Sequence, residues 1–336
     1  MINLTKAILH ILDGNAGVTV ISAAQLDLAD DAAYGYVCKH LEKAAGDPGL
    51  HSGEFIGVEN EFKIKLSQYA REMLAFEPFS AWIAAQAWEI LSNSNRPDSS
   101  DLLVAEYFEG EKKMLAILKC TGKLGYTHMV ELDEQGQQVC RIVNQYDILP
   151  GTGQKLDEAA FIEVETGAVR FTEKPRTVDG EERPLFTKGI LKCTSGVSAG
   201  ETVELIRSIA ETVAETYGVD KTAAVTRAKA GIAEHLDENE NLAPFDLGVE
   251  VFAGNEEMER EFRRQASAAG VPERVSVPKK LAVRTARSQK IKTDTGIEII
   301  FPLDYAENTE FLEFVHNPDG TIAIEIKNVG SIENRG

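Results

Sequence analysis

The fold is decided by residues 102–119, which read LLVAEYFEGEKKMLAILK. Two apolar runs, 102–108 and 114–119, flank the charged tripeptide Glu109-Gly110-Glu111. Glycine accepts the positive φ that a tight turn needs, and apolar runs on both sides of such a turn are typical of a β-hairpin. The stretch therefore predicts two antiparallel strands with a charged tip.

Further strand signals on both sides extend this hairpin into a sheet. They lie at residues 126–132 and 138–143, at 161–165 and 169–171, and at 4–28 around an Asp-Gly turn at Asp13. Asp30 and Asp31 cap a helix that ends near Gly46. Apolar spacing predicts two helices over residues 60–91, broken at Pro78, which lacks a backbone donor. We expect these two helices to cover one face of the sheet, because its strands alternate apolar and polar residues.

After residue 197 the pattern changes from strand to helix. Ser198 and Glu201 form a capping-box signature, and helices are predicted to follow over 198–217, 220–236 and 255–269. Strands return at 281–285, 296–302, 311–316 and 321–327. The fold class is therefore α+β, with an N-terminal antiparallel sheet packed on helices, then a helical segment and C-terminal antiparallel strands. The predicted lobes are residues 1–175 and 198–336.

Composition restricts the class of protein. The chain has 336 residues, of which 43% are hydrophobic and 26% charged, as in soluble globular proteins. No apolar stretch reaches the roughly 18–20 residues of a membrane helix, and the opening is unlike a signal peptide. Four cysteines stand far apart, which favours reduced thiols in the cytoplasm, with a Cys120–Cys140 bridge across a hairpin as the alternative.

No motif indicates an enzyme, a metal or a cofactor. The six histidines are scattered singly, and His10 and His128 are interpreted as hydrogen-bonded strand residues, although a metal site built from distant segments stays open. Gly151-Thr152-Gly153 lacks the rest of a phosphate loop. Hydroxyls near Ser195 would either cap the helix after them or, with Lys188 and Lys192, bind phosphate. No catalytic residue is predicted.

One segment departs from the acidic character of the chain. The chain holds 35 Lys and Arg against 54 Asp and Glu, a net charge of −19. Residues 273–292 contain seven cations and one acid, so this window carries +6 and the remainder −25. The cations are Arg274, Lys279, Lys280, Arg284, Arg287, Lys290 and Lys292.

These seven cations, called here the basic segment, have three interpretations. Phosphates of DNA would be attracted to the basic segment and repelled elsewhere, and the lack of aromatic residues in it argues against stacking on bases. Alternatively, Lys and Arg protect an edge strand from aggregation. In the third interpretation, the cations of the basic segment pair with acidic side chains of the same chain. Charge alone favours the last two interpretations over DNA binding.

The sequence resembles the bacterial 37-kDa nucleoid-associated protein family over nearly its full length. The likeness is carried by residues 7–10, by Phe186-Thr187-Lys188-Gly189, by the basic segment with the Gly-Ile-Glu-Ile-Ile-Phe run at 296–301, and by a terminal hairpin around Asp319-Gly320. The mass of 36.8 kDa agrees. In one departure, relatives continue the Lys-Gly element with further basic residues, whereas residues 190–194 here supply Lys192 alone.

The resemblance implies a cytoplasmic protein of the nucleoid, with double-stranded DNA as its partner and no established catalytic residues. Our first hypothesis is a non-enzymatic protein that binds DNA weakly and without sequence specificity through the basic segment. The alternative is an acidic adaptor that reaches the nucleoid through other nucleoid proteins. A third is a nucleotide- or metal-using enzyme with Lys188, Lys192 and Ser195 at its site. A homodimer would raise avidity for DNA, although the sequence does not show one.

Overall fold

The computed structural model of the chain describes residues 2–96, 98–238, 241–277, 289–301, 310–317 and 321–331. It divides into two compact units, Met1–Gly196 and Val197–Gly336. The α+β class is confirmed. Residues 176–196, which lie between the predicted lobes, belong to the first unit. The predicted division into lobes 1–175 and 198–336 stays a prediction.

The described part of the first unit contains a seven-stranded antiparallel sheet, three α-helices and a π-helix. The strand order in the sheet is β2-β1-β4-β5-β8-β9-β3. The elements are β1 (Ile2–Asp13), β2 (Val18–Val20), α1 (Asp31–Ala45), β3 (His51–Gly53), α2 (Glu61–Ala70), α3 (Phe76–Ser92), β4 (Ser99–Glu109), β5 (Lys112–Thr121), β6 (Lys123–Leu132), β7 (Gln138–Ile148), β8 (Glu158–Glu163), β9 (Val169–Thr172), β10 (Thr177–Val178), β11 (Glu181–Glu182) and the π-helix (Leu185–Ile190).

The hairpin predicted from residues 102–119 forms the centre of this sheet. Strands β4 and β5 pair from Ser100 opposite Thr121 to Glu109 opposite Lys112, and Gly110 at the turn has a φ of 63°. Strand β1 pairs with β4 on one side, and β8 pairs with β5 on the other. The predicted strands around residues 4–28, 161–165 and 169–171 are therefore confirmed as members of the sheet.

The sheet is buried on both faces, so the expectation of one covered face is wrong. Leu102 and Val104 pack in a core with residues of α2 and α3, whereas Leu103 and Ala105 pack on the opposite face with α1. A strand that is buried on both faces needs a continuous apolar run instead of an alternating one. Residues 102–105 and 114–118 supply such a run.

The break between α2 and α3 also differs from its predicted place. The first helix ends at Ala70 and the second begins at Phe76, so the chain turns before Pro78. Pro78 lies in the first turn of α3, where backbone N–H groups have no partner within the helix. A proline costs little there, because the donor that it lacks would not be used.

The second predicted hairpin forms but stands apart from the main sheet. Strands β6 and β7 pair only with each other, as a two-stranded sheet among the described residues. No disulfide links it to the main sheet, because Cys120 is buried, Cys140 is exposed and both are free thiols. The alternative of a Cys120–Cys140 bridge is therefore wrong.

The two outermost strands of the main sheet are short, and β2 pairs with only Ile11–Asp13 of the twelve-residue β1. At one edge lies β2, which has three residues. At the other lies β3, also three residues long, and its outer side is occupied by the chain after the π-helix. The amide of Thr194 donates to the carbonyl of Glu54 at 2.9 Å, and the amide of Gly196 donates to that of Ser52 at 2.8 Å. A covered edge strand such as β3 is protected from strand addition by another chain.

Buried charges are paired within the sheet. Glu106 on β4 is 3% exposed and accepts from Thr5, while Lys6 and Lys113 lie 3.2 and 3.0 Å from its carboxylate oxygens. The hydroxyl of Tyr69 on α2 also donates to it. Burial alone would raise the pKa of Glu106, but these hydrogen bonds and ion pairs hold it at about 2.

A second buried group joins β5 to β8. Lys119 lies 3.1 Å from Glu158 and 2.8 Å from Asp98. Arg176 binds Glu158 with both guanidinium nitrogens, at 3.1 and 3.0 Å. Because each buried charge has an opposite partner within hydrogen-bond distance, the desolvation of these side chains is compensated.

The Lys-Gly element lies in the π-helix, which is held by residues from elsewhere in the fold. The carboxylate of Glu173 accepts from the amides of Phe186 and Thr187 at 2.7 and 3.1 Å, and from the Thr187 hydroxyl. A Cβ on Gly189 would lie 2.0 Å from Cδ1 of Ile90 on α3. Glycine at this position therefore lets the π-helix pack closely against α3.

The described part of the second unit contains four α-helices and small two-stranded sheets. Its elements are α4 (Ala199–Thr216), α5 (Lys221–Glu238), β12 (Asn241–Leu242), α6 (Pro244–Val251), α7 (Glu256–Ala268), β13 (Val275–Ser276), β14 (Gln289–Lys292), β15 (Glu298–Phe301), β16 (Leu312–His316) and β17 (Ile322–Ile326). Helix α6 was not predicted, and it begins at Pro244, a favoured first helical residue.

Two expectations for the second unit are confirmed. The capping box at Ser198 is formed, and β16 pairs with β17 as predicted, although the turn residues 318–320 lie outside the described residues. Helices α4 to α7 share one core. Among the helices of the described residues, none is both long enough and apolar enough to cross a bilayer.

We expect Glu106→Gln to destabilise the protein by about 1–3 kcal/mol near neutral pH, because it removes the buried carboxylate that pairs with Lys6 and Lys113 and accepts from the Tyr69 hydroxyl. The folded pKa of about 2 lies below the ordinary 4.5, so the stabilisation by Glu106 is full above pH 4.5 and is lost as the pH falls towards 2. Urea unfolding of wild type and variant at several pH values should show the difference shrink over that range. The exposed Glu109→Gln is the control, and a Glu106→Gln difference that does not vary with pH would contradict the assignment.

We expect Gly189→Ala to destabilise the first unit by about 1–3 kcal/mol, the usual range for an overpacked core. Ile90→Val removes the Cδ1 atom that a Cβ at position 189 would meet. The double variant should therefore be more stable than the sum of the two single losses predicts, as measured by urea unfolding. Gly151→Ala is the matched control, since nothing lies within 4 Å of its Cβ position. Additive losses would show that the two sites do not touch.

Candidate nucleic-acid interface

The structure describes three of the seven cations in the basic segment. Arg274, Lys290 and Lys292 lie within the described residues. The other four, with the predicted strand 281–285, lie outside them: Lys279, Lys280, Arg284 and Arg287. DNA binding through all seven cations of the basic segment therefore stays a prediction.

Arg274 is fixed at the edge of the helical core of the second unit. It is exposed and directly precedes β13, which pairs with β12 through Val275 opposite Leu242. Leu242 and Val277 are buried in the core, and Val275 packs against it. Because alternate residues of a strand point to opposite faces, packing of Val275 and Val277 on this core turns Arg274 outward.

Lys290 and Lys292 lie on a strand that was not predicted from the sequence, paired with the predicted strand at 296–302. Strand β14 pairs with β15 so that Lys290 is opposite Ile300 and Lys292 opposite Glu298. These four positions share one face, and Phe301, on the other face, is buried. Lys292 is exposed. The carboxylate across from it reduces the local positive charge that DNA would meet.

The structure brings together two of the three residues predicted as a phosphate site. Lys188 and Lys192 both line a cleft of about 560 Å³ beside the π-helix, and Ser195 is not among its lining residues. Arg183 joins them there. Three carboxylates also line the cleft: Glu89, Glu181 and Glu182. Equal numbers of cations and anions give this cleft no net positive charge.

Arg183 was missed by the sequence analysis. It follows the acidic strand β11 and lies 3.7 Å from Glu181, so its sequence context is that of a charged surface turn. What brings it near Lys188 is the course of the chain through β10, β11 and the π-helix. No local motif signals this arrangement.

The helix start at Ser198 is occupied by its own residues. The Ser198 hydroxyl accepts from the amide of Glu201 at 3.2 Å, and the Glu201 carboxylate accepts from the amide of Ser198 at 2.9 Å. The capping alternative is therefore confirmed. A phosphate at this end would have to compete with the Glu201 carboxylate for the same region of positive potential.

His10 is a structural histidine, as predicted. Its Nδ1 accepts from the amide of Ser22 at 3.1 Å, so the proton of the neutral ring is on Nε2, which donates to the Ser80 hydroxyl at 2.7 Å. Because Nε2 already carries a proton and donates it to the Ser80 hydroxyl, Nε2 cannot accept the proton of that hydroxyl. Burial lowers the pKa of His10 to about 4 and keeps the ring neutral. This Ser–His pair therefore does not form a nucleophile with its base.

His128, by contrast, is exposed on β6. Of the two strand histidines, His10 alone is shown to be a core residue. Over the described ranges of the chain, no cluster of three or more His, Cys, Asp or Glu side chains is arranged to hold a metal ion.

Comparison with known proteins agrees with the resemblance seen in the sequence. A family model described as nucleoid-associated protein YejK matches residues 8–334, nearly the whole chain. A search of curated proteins found none that matches this chain. The match includes the central sheet, the π-helix, the helical core and the basic segment. The chain belongs to this family of nucleoid-associated proteins.

Proposed function

We propose that this protein is a non-enzymatic component of the nucleoid, in the cytoplasm, that binds double-stranded DNA directly. Contact is made through the basic segment, and it is weak and nearly independent of sequence. The observation that carries the proposal is the charge contrast, with +6 in residues 273–292 and −25 over the rest of the chain. Membership of a nucleoid-associated family supports DNA as the partner.

The charge contrast restricts the part of the chain to which DNA can bind. Phosphates are repelled by most of this chain, so a duplex can approach only where cations outnumber carboxylates. Arg274 and Lys292, both exposed, lie at the two ends of the segment. Contacts to phosphates carry no sequence information, and the segment has no aromatic residue to stack on bases.

Lys188 and Lys192 supply a secondary phosphate contact in the proposal. Both are exposed beside the π-helix, and they line the same cleft. The surrounding carboxylates make this contact weaker than the basic segment. Ser195 lies outside that cleft and would contribute separately.

The net charge of −19 favours one other function, that of an adaptor. A strongly acidic surface attracts basic proteins, and such a protein would reach the nucleoid through partners that themselves bind DNA. The two functions make different demands on the purified protein. Direct binding needs no second component, whereas an adaptor binds no DNA alone.

We expect the purified protein to bind a labelled duplex with an affinity that falls steeply as salt rises. Lys280→Ala, Arg284→Ala and Arg287→Ala combined should weaken binding equally for unrelated sequences. They should also reduce the slope of log affinity against log salt by about 3, close to 0.9 for each lost phosphate contact. Fluorescence anisotropy over a series of salt concentrations measures both quantities.

The matched control removes three exposed cations from other elements, Lys39, Arg227 and Arg260. It should leave the slope unchanged. An equal loss in both triple variants would show that net charge acts without the basic segment. Purified protein that leaves DNA unbound at low salt would favour the adaptor instead.

A further inference from the structure

Two adjoining clefts of the first unit, which the proposed function does not use, meet at Lys63 on α2. The larger has a volume of about 700 Å³ and lies along β3, β9 and the turn between β8 and β9. The smaller, of about 390 Å³, lies along the exposed side of α2. Together they are called here the α2 groove, which runs from Arg170 on β9 through Lys63 to Met73 after α2.

Cations outnumber carboxylates in the α2 groove. Lys63, Arg71 and Arg170 line it, against one carboxylate, that of Glu54. None of the three cations has an ion pair or a side-chain hydrogen bond with another residue in the described part of the chain. The cleft beside the π-helix, by contrast, balances three cations with three carboxylates. The α2 groove is therefore a positive region of a chain whose net charge is −19.

The exposed side of α2 supplies two of these cations. Phe62, Leu66 and Tyr69 bury the other side of the helix in the core. Residues three and four positions apart share a face, so positions 63, 64, 67, 68 and 71 form one row, and none of them is acidic. The nearby carboxylates at 59, 61 and 72 line neither cleft.

Exposed apolar side chains lie beside these cations. Val58 is 97% exposed, Met73 72% and Ile64 46%, and all three line the smaller cleft with Lys63 and Arg71. A single exposed apolar residue needs no explanation, but three in one cleft offer apolar surface to a ligand. The α2 groove therefore combines positive charge with apolar contact area.

Hydrogen bonds fix the walls of the groove before any ligand binds. The buried Asn60 donates from its side-chain amide to the carbonyls of Leu191 and Lys192 at 2.9 and 3.0 Å. Its side-chain oxygen accepts from the amide of Lys63 at 3.0 Å, which caps α2. The chain at 194–196 is likewise hydrogen-bonded to β3. A ligand therefore loses little free energy to ordering of these walls.

The combination of charge and apolar surface favours an acidic peptide over DNA. Phosphates would pair with the cations, but a phosphate backbone has no apolar group to cover Val58, Ile64 and Met73. An acidic segment of a protein supplies both carboxylates and apolar side chains. Most of this chain would repel such a segment, so its binding is confined to the groove.

The dimensions of the groove suit a short segment. From Lys63 to Arg71 the helix rises about 12 Å, at 1.5 Å per residue. An extended peptide spans that length with about four residues, and the larger cleft has room for at least as many.

We propose that the α2 groove binds a short acidic segment of a partner protein, one that carries both carboxylate and apolar side chains. Its carboxylates pair with Lys63, Arg71 and Arg170, and its apolar side chains cover Val58 and Met73. None of these residues belongs to the basic segment. This binding therefore goes beyond the proposed function, and either proposal can fail without the other.

Selection from a phage-displayed library of random octapeptides, with the full chain as bait, tests the class of ligand. We expect enrichment of peptides that combine Asp or Glu with Leu, Ile or Phe. An enriched peptide labelled with fluorescein should bind the chain with an affinity that falls as salt rises, because its ion pairs are partly exposed. Fluorescence anisotropy measures this affinity.

Lys63→Met combined with Arg71→Gln removes two exposed charges and should weaken peptide binding by about 10-fold, the effect of losing two partly exposed ion pairs. Val58→Asp should weaken it by a similar factor, because it places a carboxylate on the apolar wall. Lys39→Met combined with Arg227→Gln is the matched control, since both positions are exposed on other helices. The control should bind as wild type does, and all variants should keep the far-UV circular dichroism of wild type.

Several results would overturn the proposal. Selection that enriches basic peptides, or none, would show that the groove takes no acidic segment. Equal affinity for the same peptide with its apolar residues replaced by Ser would reduce the groove to a site for any anion. Equal weakening by the control pair would show that net charge acts without the groove. If Lys63→Met with Arg71→Gln weakened binding of a DNA duplex as much as binding of the peptide, the groove would belong to the DNA surface.

Discussion

The first unit depends on one constraint, which is that the central strands of its sheet have no face in contact with water. Strands β4, β5 and β8 are covered by α2 and α3 on one side and by α1 on the other. Any charge on these strands must therefore be neutralised inside the protein. Glu106 and Lys119 meet this requirement with partners from other elements, and so they also fix how those elements pack. The same burial keeps His10 neutral.

What the sequence predicted correctly was encoded locally. The β4–β5 hairpin follows from two apolar runs around Gly110, and the helix start at Ser198 follows from a residue pair three positions apart. The second covering layer was missed because the strands were interpreted as alternating apolar and polar residues, whereas residues 102–105 and 114–118 are continuously apolar. The π-helix was missed because its geometry depends on Glu173, thirteen residues before Phe186. Such distant partners have no periodic signal.

In the candidate site, too, some features are encoded locally in the sequence and others depend on distant residues. The excess of cations in residues 273–292 is a property of composition, so the sequence shows it directly. The grouping of Lys188 with Arg183 is produced by the path of the chain, and so is the separation of Ser195 from both. Glu89 on α3 and Glu181 and Glu182 on β11 balance the charge of the three cations in the cleft. The basic residues taken alone would predict a positive cleft. Charge in a sequence therefore predicts a surface well only where the acids are also nearby in sequence.

The short, covered edges of the main sheet have a consequence for assembly. An open strand edge accepts a strand from another copy of the chain at high concentration, and such pairing can repeat without limit. Here β2 is too brief to act as a template, and the amides of Thr194 and Gly196 already occupy the outer side of β3. Strand addition at β2 and at β3 is thereby disfavoured, so neither of these edge strands offers a starting point for growth into filaments.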